Sequence, residues 1–274
     1  MEYLGDYWRH DCRIGFYRAF CYYKLSTEEK AGPGGKDSPA GKDYELAARE
    51  QLIELVKANP PMYKVRQVDY MATPETENAF WFMTKIGLWW FPTERWFILT
   101  GIQKAKRDEN DDKRMEMLNI ATVRFYNDLD FLREAYHLKV DKRDLEGADG
   151  VVRQMIQHHP ESLEPVYFGM NLALISGETS SYTTYRGHAM EKGMPHYLVQ
   201  LLDFTFFAIK GQESEALAHY NGISRRFRSL RYYLSTLEYL AHDIFGNDAS
   251  RTADAKKILL ESVDLYALKI IKIQ

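Results

Sequence analysis

The chain has 274 residues, 45% of them hydrophobic and 27% charged, which suffices for one large domain or two small ones with an ordinary core. A net charge of −3 argues against a non-specific nucleic-acid binder, whose affinity would rest on a basic face, and no apolar run reaches the roughly 20 residues that span a bilayer. Aromatic residues make up 14%, so large rings must dominate either the core or a surface.

Met1 to Asp6 carries acids and no apolar stretch of the secretory kind, so the expectation is a soluble, cytoplasmic protein. Trp8, Cys12, Phe16, Phe20 and Tyr23 recur at helical steps and predict an amphipathic helix over Tyr7 to Leu25, with Arg9, His10, Arg13 and Arg18 on its other side. The two cysteines, Cys12 and Cys21, would stand about 13–14 Å apart along such a helix, too far for a disulfide, and read as reduced thiols.

Residues 26–43 hold Gly32-Pro33-Gly34-Gly35 and Ser38-Pro39-Ala40-Gly41 and predict a loop. Helical period returns over Tyr44 to Ala58 through Leu46, Leu52, Leu55 and Val56, and Asn59-Pro60-Pro61 stops it. Thr73-Pro74-Glu75-Thr76-Glu77 is a helix start, with an N-cap, a proline at the first position and acids in the first turn.

The helix that follows to Phe91 is the most aromatic stretch, with Phe80, Trp81, Phe82, Trp89 and Trp90. Pro92 ends it, and Thr93 to Lys106 predicts another helix with Trp96, Phe97, Leu99 and Ile102. Such a run of rings is core, since large rings are mostly buried, or a binding face, since Trp and Tyr anchor interfaces. Asp108, Glu109, Asp111 and Asp112 make an acidic turn, read as a solvated loop or a patch that steers a basic partner. Met115 to Tyr136 then reads as one long helix, and Asp149 to Gln157 as a short one.

From Glu161 to Gly246 the chain carries an internal repeat. Tyr185-Arg186-Gly187 lies over Tyr220-Asn221-Gly222 at an offset of 35, which also superposes Tyr197 on Tyr232, Leu202 on Leu237, Phe204 on Tyr239 and Ile209 on Ile244. Three Ile-x-Gly endings, at Gly177, Gly211 and Gly246, follow one another at 34 and 35 residues and predict helix ends closed by glycines with positive φ. The predicted helices are Leu163 to Ser176, Ser180 to Lys192, Pro195 to Lys210, Glu213 to Arg228 and Arg231 to Phe245. A last one runs to about Lys269 behind Asp248 or Ser250 as N-cap, and no alternating strand pattern occurs. The expected fold is all-α, with an N-terminal aromatic-rich helical region (1–140, loop 26–43) and a region of stacked helical pairs (141–274), forming one continuous domain.

Candidate chemistry is sparse. Gly32-Pro33-Gly34-Gly35-Lys36 lacks the spacing and the Ser or Thr of a P-loop, and there is neither a Gly-x-Ser-x-Gly elbow nor a Cys-x-x-Cys pair. His188, Glu191 and His196 are the best metal-like group, but two flank a turn and no further ligand lies near, so no metal or cofactor is expected. Adjacent His158 and His159 point apart, and Glu161 and Glu164 read as the acidic first turn of a helix.

Asp203 and Glu238 are charges inside apolar runs and occupy the same position of the repeat. They pair with Arg225, Arg226, Arg228 or Arg231 to orient neighbouring helices, or they line a concave surface that reads a basic partner.

The repeat length and the closing glycines resemble tetratricopeptide-like stacks, without that family's Trp, Leu-Gly, Tyr and terminal Pro pattern. Tyr167-Phe168-Gly169-Met170-Asn171-Leu172-Ala173-Leu174 and Met194-Pro195-His196-Tyr197-Leu198 resemble the all-α immunity proteins of bacterial polymorphic-toxin systems, including type VI secretion. That resemblance implies a non-enzymatic protein that binds one cognate toxin and neutralises it. It gives Asp108, Glu109, Asp111, Asp112, Asp203 and Glu238 a partner-binding role against a basic toxin. It implies neither nucleic-acid nor membrane binding, and exposed rings would permit a homodimer. The alternatives are a helical-repeat scaffold for peptides and a helical metalloenzyme using His188, Glu191 and His196.

Overall fold

A computed structural model describes residues 9, 11–60, 73–226, 231–246 and 248–271. Every regular element among them is helical: thirteen α-helices and short 3-10 turns, with no strand. The chain divides into two compact units, Met1–Tyr126 and Asn127–Gln274. The sequence pattern places the boundary at 140/141; the helix that spans it, Leu129–Asp141, packs on the next, Leu145–His158, within the second unit.

In the first unit, α1 (Cys12–Ala31) starts where Asp11 caps the backbone N–H of Arg13. Tyr7, Trp8 and His10 of the expected helix lie outside the described residues. The helix runs six residues past Leu25, and α2 (Pro39–Ala58) begins earlier than expected, so the predicted loop 26–43 shrinks to 32–38 around a 3-10 turn, Gly35–Asp37. Pro39 opens α2 rather than breaking it, because the first helical position has no N–H bond to lose, and Ser38 Oγ accepts from the N–H of Gly41. Ser26 Oγ donates to the Gly41 carbonyl and ties the two helices together. Farther along, a Cβ on Gly15 would stand 2.4 Å from Leu55 Cδ2, so glycine sets the close approach of α1 and α2.

The other helices of this unit are α3 (Pro74–Trp90), α4 (Trp96–Arg107) and α5 (Asp111–Arg124). Thr73 and Thr76 form the capping box of α3. Asn59, left-handed at φ 44°, ends α2 and accepts the Trp96 indole N–H at 2.8 Å, fixing α4 to the end of α2. Phe16, Phe80, Met83, Trp96 and Phe97 form the core, with the Phe16 ring 4.6 Å from Phe80 and 5.7 Å from Trp96. A Cβ on Gly87 would meet the Phe97 ring at 2.5 Å, which fixes how closely α3 lies on α4.

The long helix expected over Met115 to Tyr136 is two. Phe125 leaves helical geometry at φ −136°, ψ 49°, and α6 (Leu129–Asp141) restarts behind Asp128, whose carboxylate accepts from the N–H of Asp130. The apolar period persists through the break, which hides it; Asn127-Asp128 ahead of Leu129 is the start signal.

The second unit continues with α7 (Leu145–His158), α8 (Glu164–Ser176), α9 (Thr179–Glu191), α10 (His196–Ile209), α11 (Glu213–Arg226), α12 (Arg231–Phe245) and α13 (Ala249–Ile271). Helices adjacent in sequence pack side by side, and α8 and α10 are apolar nearly all round because others enclose them. Gly177 and Gly211 close α8 and α10 with φ of 72° each, as the repeat requires. Gly246 does not enter the left-handed region; its N–H bonds the His242 carbonyl, and Asp248 caps α13 two residues on.

Polar ties then fix the stack. Arg133 of α6 grips the buried Glu164 of α8 with two bonds, one of them at 2.8 Å. Asp264 of α13 accepts from Tyr167 at 2.5 Å and Asn171 at 2.8 Å, both on α8. The repeat itself is imperfect: Leu202 and Leu237 are both core, whereas Phe204 is buried and its counterpart Tyr239 is exposed.

Candidate functional site

Asp203 is the most enclosed of the acids proposed for partner binding, at 1% exposure. Its carboxylate accepts from Tyr182 at 3.0 Å and from Arg186 Nε and Nη2 at 2.7 and 2.9 Å, and His219 Nδ1 stands 3.7 Å away. The carboxylate and its burial hold the Tyr182 hydroxyl well above its ordinary pKa, with burial the larger cause. Asp203 is therefore a tie between α9 and α10, closed to a partner, with Arg186 as a cation; the side chains of Arg225, Arg226, Arg228 and Arg231 lie outside the described residues.

Glu238 is half-buried and accepts from Tyr220 at 2.7 Å. In both repeats the acid thus takes a donor from the helix before it, Arg186 for Asp203 and Tyr220 for Glu238. The sequence offset marks a structural bond.

The acidic turn is not a free negative patch. Asp108 pairs with the buried Lys104, which also meets Glu77 at 2.5 Å. Asp111 and Asp112 lie in the first turn of α5 behind the Asn110 cap, where they complement the helix dipole. Glu109 occupies a left-handed turn position at φ 52°. Lys104, Lys106, Arg107, Lys113 and Arg114 share this stretch and balance the four acids.

No group of three His, Cys, Asp or Glu among the described residues stands where it could hold a metal. His188 and Glu191 are exposed at the end of α9, and His196 opens α10 beyond the Gly193 turn; the three do not converge. Cys12 is buried, which pushes its thiol up to about 12 and leaves it a poor nucleophile.

The surface that does concentrate unusual chemistry is in the first unit. On α3 the rings divide by side: Phe80 and Met83 enter the core, while Phe82 is 40% and Trp89 71% exposed. Seven residues apart, Phe82 and Trp89 fall on one helical face. Phe82 lies 5.6 Å from Phe20 and 5.4 Å from Tyr23 of α1; Tyr23 is 5.9 Å from Trp90, and Trp90 6.5 Å from Trp89. The result is a continuous row of rings ending in open solvent.

Cations lie on these rings: Lys24 on Phe20 at 5.5 Å, Arg18 on Tyr22 at 5.9 Å and Arg49 on Trp90 at 4.7 Å. Beside Trp90 a groove of about 430 Å³ is lined by Ile53, Val56, Lys57 and Phe91. Leu46, which shares the helical period of α2 with the buried Leu52 and Leu55, is itself 55% exposed, and Leu46, Arg49, Ile53 and Lys57 form a stripe at steps of three and four.

In the second unit a groove of about 550 Å³ runs over α8 between α7 and α9, bounded by Glu146, Asp149, Glu178 and Thr184 with Gly169 at its floor. The Tyr185 ring leaves no room for a Cβ on Gly169, and its hydroxyl donates to Asp149 at 3.0 Å.

Comparison of the chain with protein-family models, with curated proteins and with solved structures finds no match. No helix among the described residues is long and apolar enough to cross a membrane.

Proposed function

We propose that this chain is a non-enzymatic binding protein whose task is to capture another protein, and that it is an immunity protein which neutralises a cognate antibacterial toxin in the cytoplasm. One observation carries the binding reading: Trp89 stands 71% exposed at the end of a row of packed rings. Exposing an indole forgoes about 1.5–3 kcal/mol of burial, and aromatic anchors of this kind are what interfaces bury. The toxin as partner rests on the resemblance of Tyr167–Leu174 and Met194–Leu198 to the immunity proteins.

The test is co-expression with the product of the adjacent reading frame, scored by cell survival and by native mass of the purified complex. Rescue with a one-to-one complex that Trp89→Ala weakens supports the reading; survival without a complex, or killing despite the intact chain, removes it. A second reading, a peptide-binding scaffold, is favoured by the groove over α8. It expects Gly169→Ala, which would displace the Tyr185 ring, to abolish peptide capture while leaving toxin binding intact.

A further inference from the structure

We propose that the groove over α8, between α7 and α9, receives a Lys- or Arg-bearing segment of a partner protein. The basic heads meet Glu146 and Glu178, and their methylene stems lie on the apolar lining. This deepens the scaffold reading above and rests on it.

The groove has the size of a site for a few side chains, about 550 Å³. Leu145, Leu172, Ala173 and the half-buried Tyr185 ring give it apolar surface. On α8, Gly169, Leu172, Ala173 and Ser176 recur at steps of three and one and so share one face, and three of the four are small.

Charge selects the occupant. The lining holds three acids, Glu146, Asp149 and Glu178, against one cation, Arg153. Arg153 is engaged by Asp149, which also accepts the Tyr185 hydroxyl. Glu146 and Glu178 are exposed, and neither forms an ion pair among the described residues. Glu178 accepts the Ser181 hydroxyl at 3.0 Å. Lys210 approaches the neighbouring Gly177 but does not pair with Glu178 and stands outside the lining.

Glu146 lies in the first turn of α7, and Glu178 is the N-cap residue of α9. A helix N-terminus is worth about half a positive charge, which offsets a carboxylate only in part. Between them α8 ends at Ser176 with no basic residue in its last turn, so its carbonyl end adds to the negative side. The acids first expected to meet a basic partner, Asp203 and Asp108, are engaged within the fold; the uncompensated ones are here.

A fitting occupant brings positive charge on aliphatic stems, which Lys and Arg side chains do. A nucleic acid brings the wrong sign. A metal ion lacks a converging set of three ligands among the described residues. A polyamine has only N–H donors, whereas the exposed Ser180 hydroxyl on the α9 wall both gives and takes hydrogen bonds and suits a peptide backbone.

The test is selection of displayed random 12-residue peptides against the whole chain, followed by fluorescence anisotropy. The selected peptides should carry Lys or Arg and lose binding to Ser180→Trp, which fills the groove from an exposed position. They should bind about tenfold more weakly to a Glu146→Gln, Glu178→Gln double variant whose helicity and melting temperature match the parent. A Glu50→Gln, Glu54→Gln variant removes the same charge from exposed positions of α2 and should bind as the parent does. Affinity should also fall between 50 and 300 mM salt, as screening of exposed charges requires.

Acidic or neutral peptides whose capture Ser180→Trp blocks would overturn the inference and leave the scaffold reading standing. An unaltered affinity for the double variant, an equal loss in the α2 control, or spermidine bound as tightly as the peptides would overturn it too. No selected peptide, or peptides indifferent to Ser180→Trp, would remove both.

Discussion

In the first unit rings meet rings, Phe16 against Phe80 and Trp96, and Phe91 stacked 6.1 Å from Phe97, whereas in the second unit the ring hydroxyls reach carboxylates on other helices. Tyr167 bonds Asp264, Tyr182 bonds Asp203, Tyr185 bonds Asp149 and Tyr220 bonds Glu238. The difference follows from residue type. Trp and Phe gain by area and stacking and tolerate an exposed edge, so a face of them can be extended outward. A buried tyrosine must place its hydroxyl, and each such bond fixes one helix relative to another. The second unit is therefore specified by directional ties, and the first carries a surface that its core does not need.

That contrast can be broken at its strongest point by removing a ring from each side of the aromatic set. Phe97→Ala should cost about 3–5 kcal/mol in denaturant unfolding, because Phe97 is fully buried. A loss under about 1 kcal/mol would show that the first unit does not depend on its core rings. Next, Arg186→Leu should destabilise the second unit by about 3 kcal/mol, since it leaves Asp203 buried without its cation. Asp203→Asn with Arg186→Leu should recover part of that loss, and a double variant no better than Arg186→Leu alone would refute the pairing.

Alkaline titration separates the units in another way. Burial, and then the facing Asp149 or Glu238, raises the hydroxyls of Tyr185 and Tyr220 from 10 to about 12. Burial does the same for Tyr233, less the lowering effect of its bond to Ser262. The folded state holds these protons more tightly than the unfolded chain. Their contribution is thus complete below pH 10 and is lost as pH rises through about 12. Circular dichroism followed from pH 9 to 12.5 should show the second unit unfolding in that window; a signal flat to pH 12.5 would contradict it.

The smallest effect on stability is expected at Trp89→Ala, within about 0.5 kcal/mol, because the side chain is mostly in solvent. If this variant instead unfolds the first unit, Trp89 is structural and the docking surface is lost with it.

Much of the fold was legible because helix signals are local. Thr73-Pro74 with its acids marked the start of α3, Asn59-Pro60 the end of α2, and Gly177 and Gly211 the ends of α8 and α10. Even the Asp203–Glu238 correspondence was visible as a repeat. Where local signals competed, reading failed: Pro39 looks the same as a breaker or as the first residue of a helix, and an unbroken apolar period concealed the turn at Phe125.

The sequence by itself determined that this protein is all-α, with capped helices and paired repeats, because caps, glycine ends and apolar period act within one or two turns of chain. Only the tertiary structure decided that Arg186 holds Asp203, that Phe80 is core while Phe82 and Trp89 face outward, and that Lys104 of α4 reaches Glu77 of α3. Burial and pairing depend on whichever groups packing brings within a few ångströms, and the order of residues along one helix does not state what lies against each of its sides.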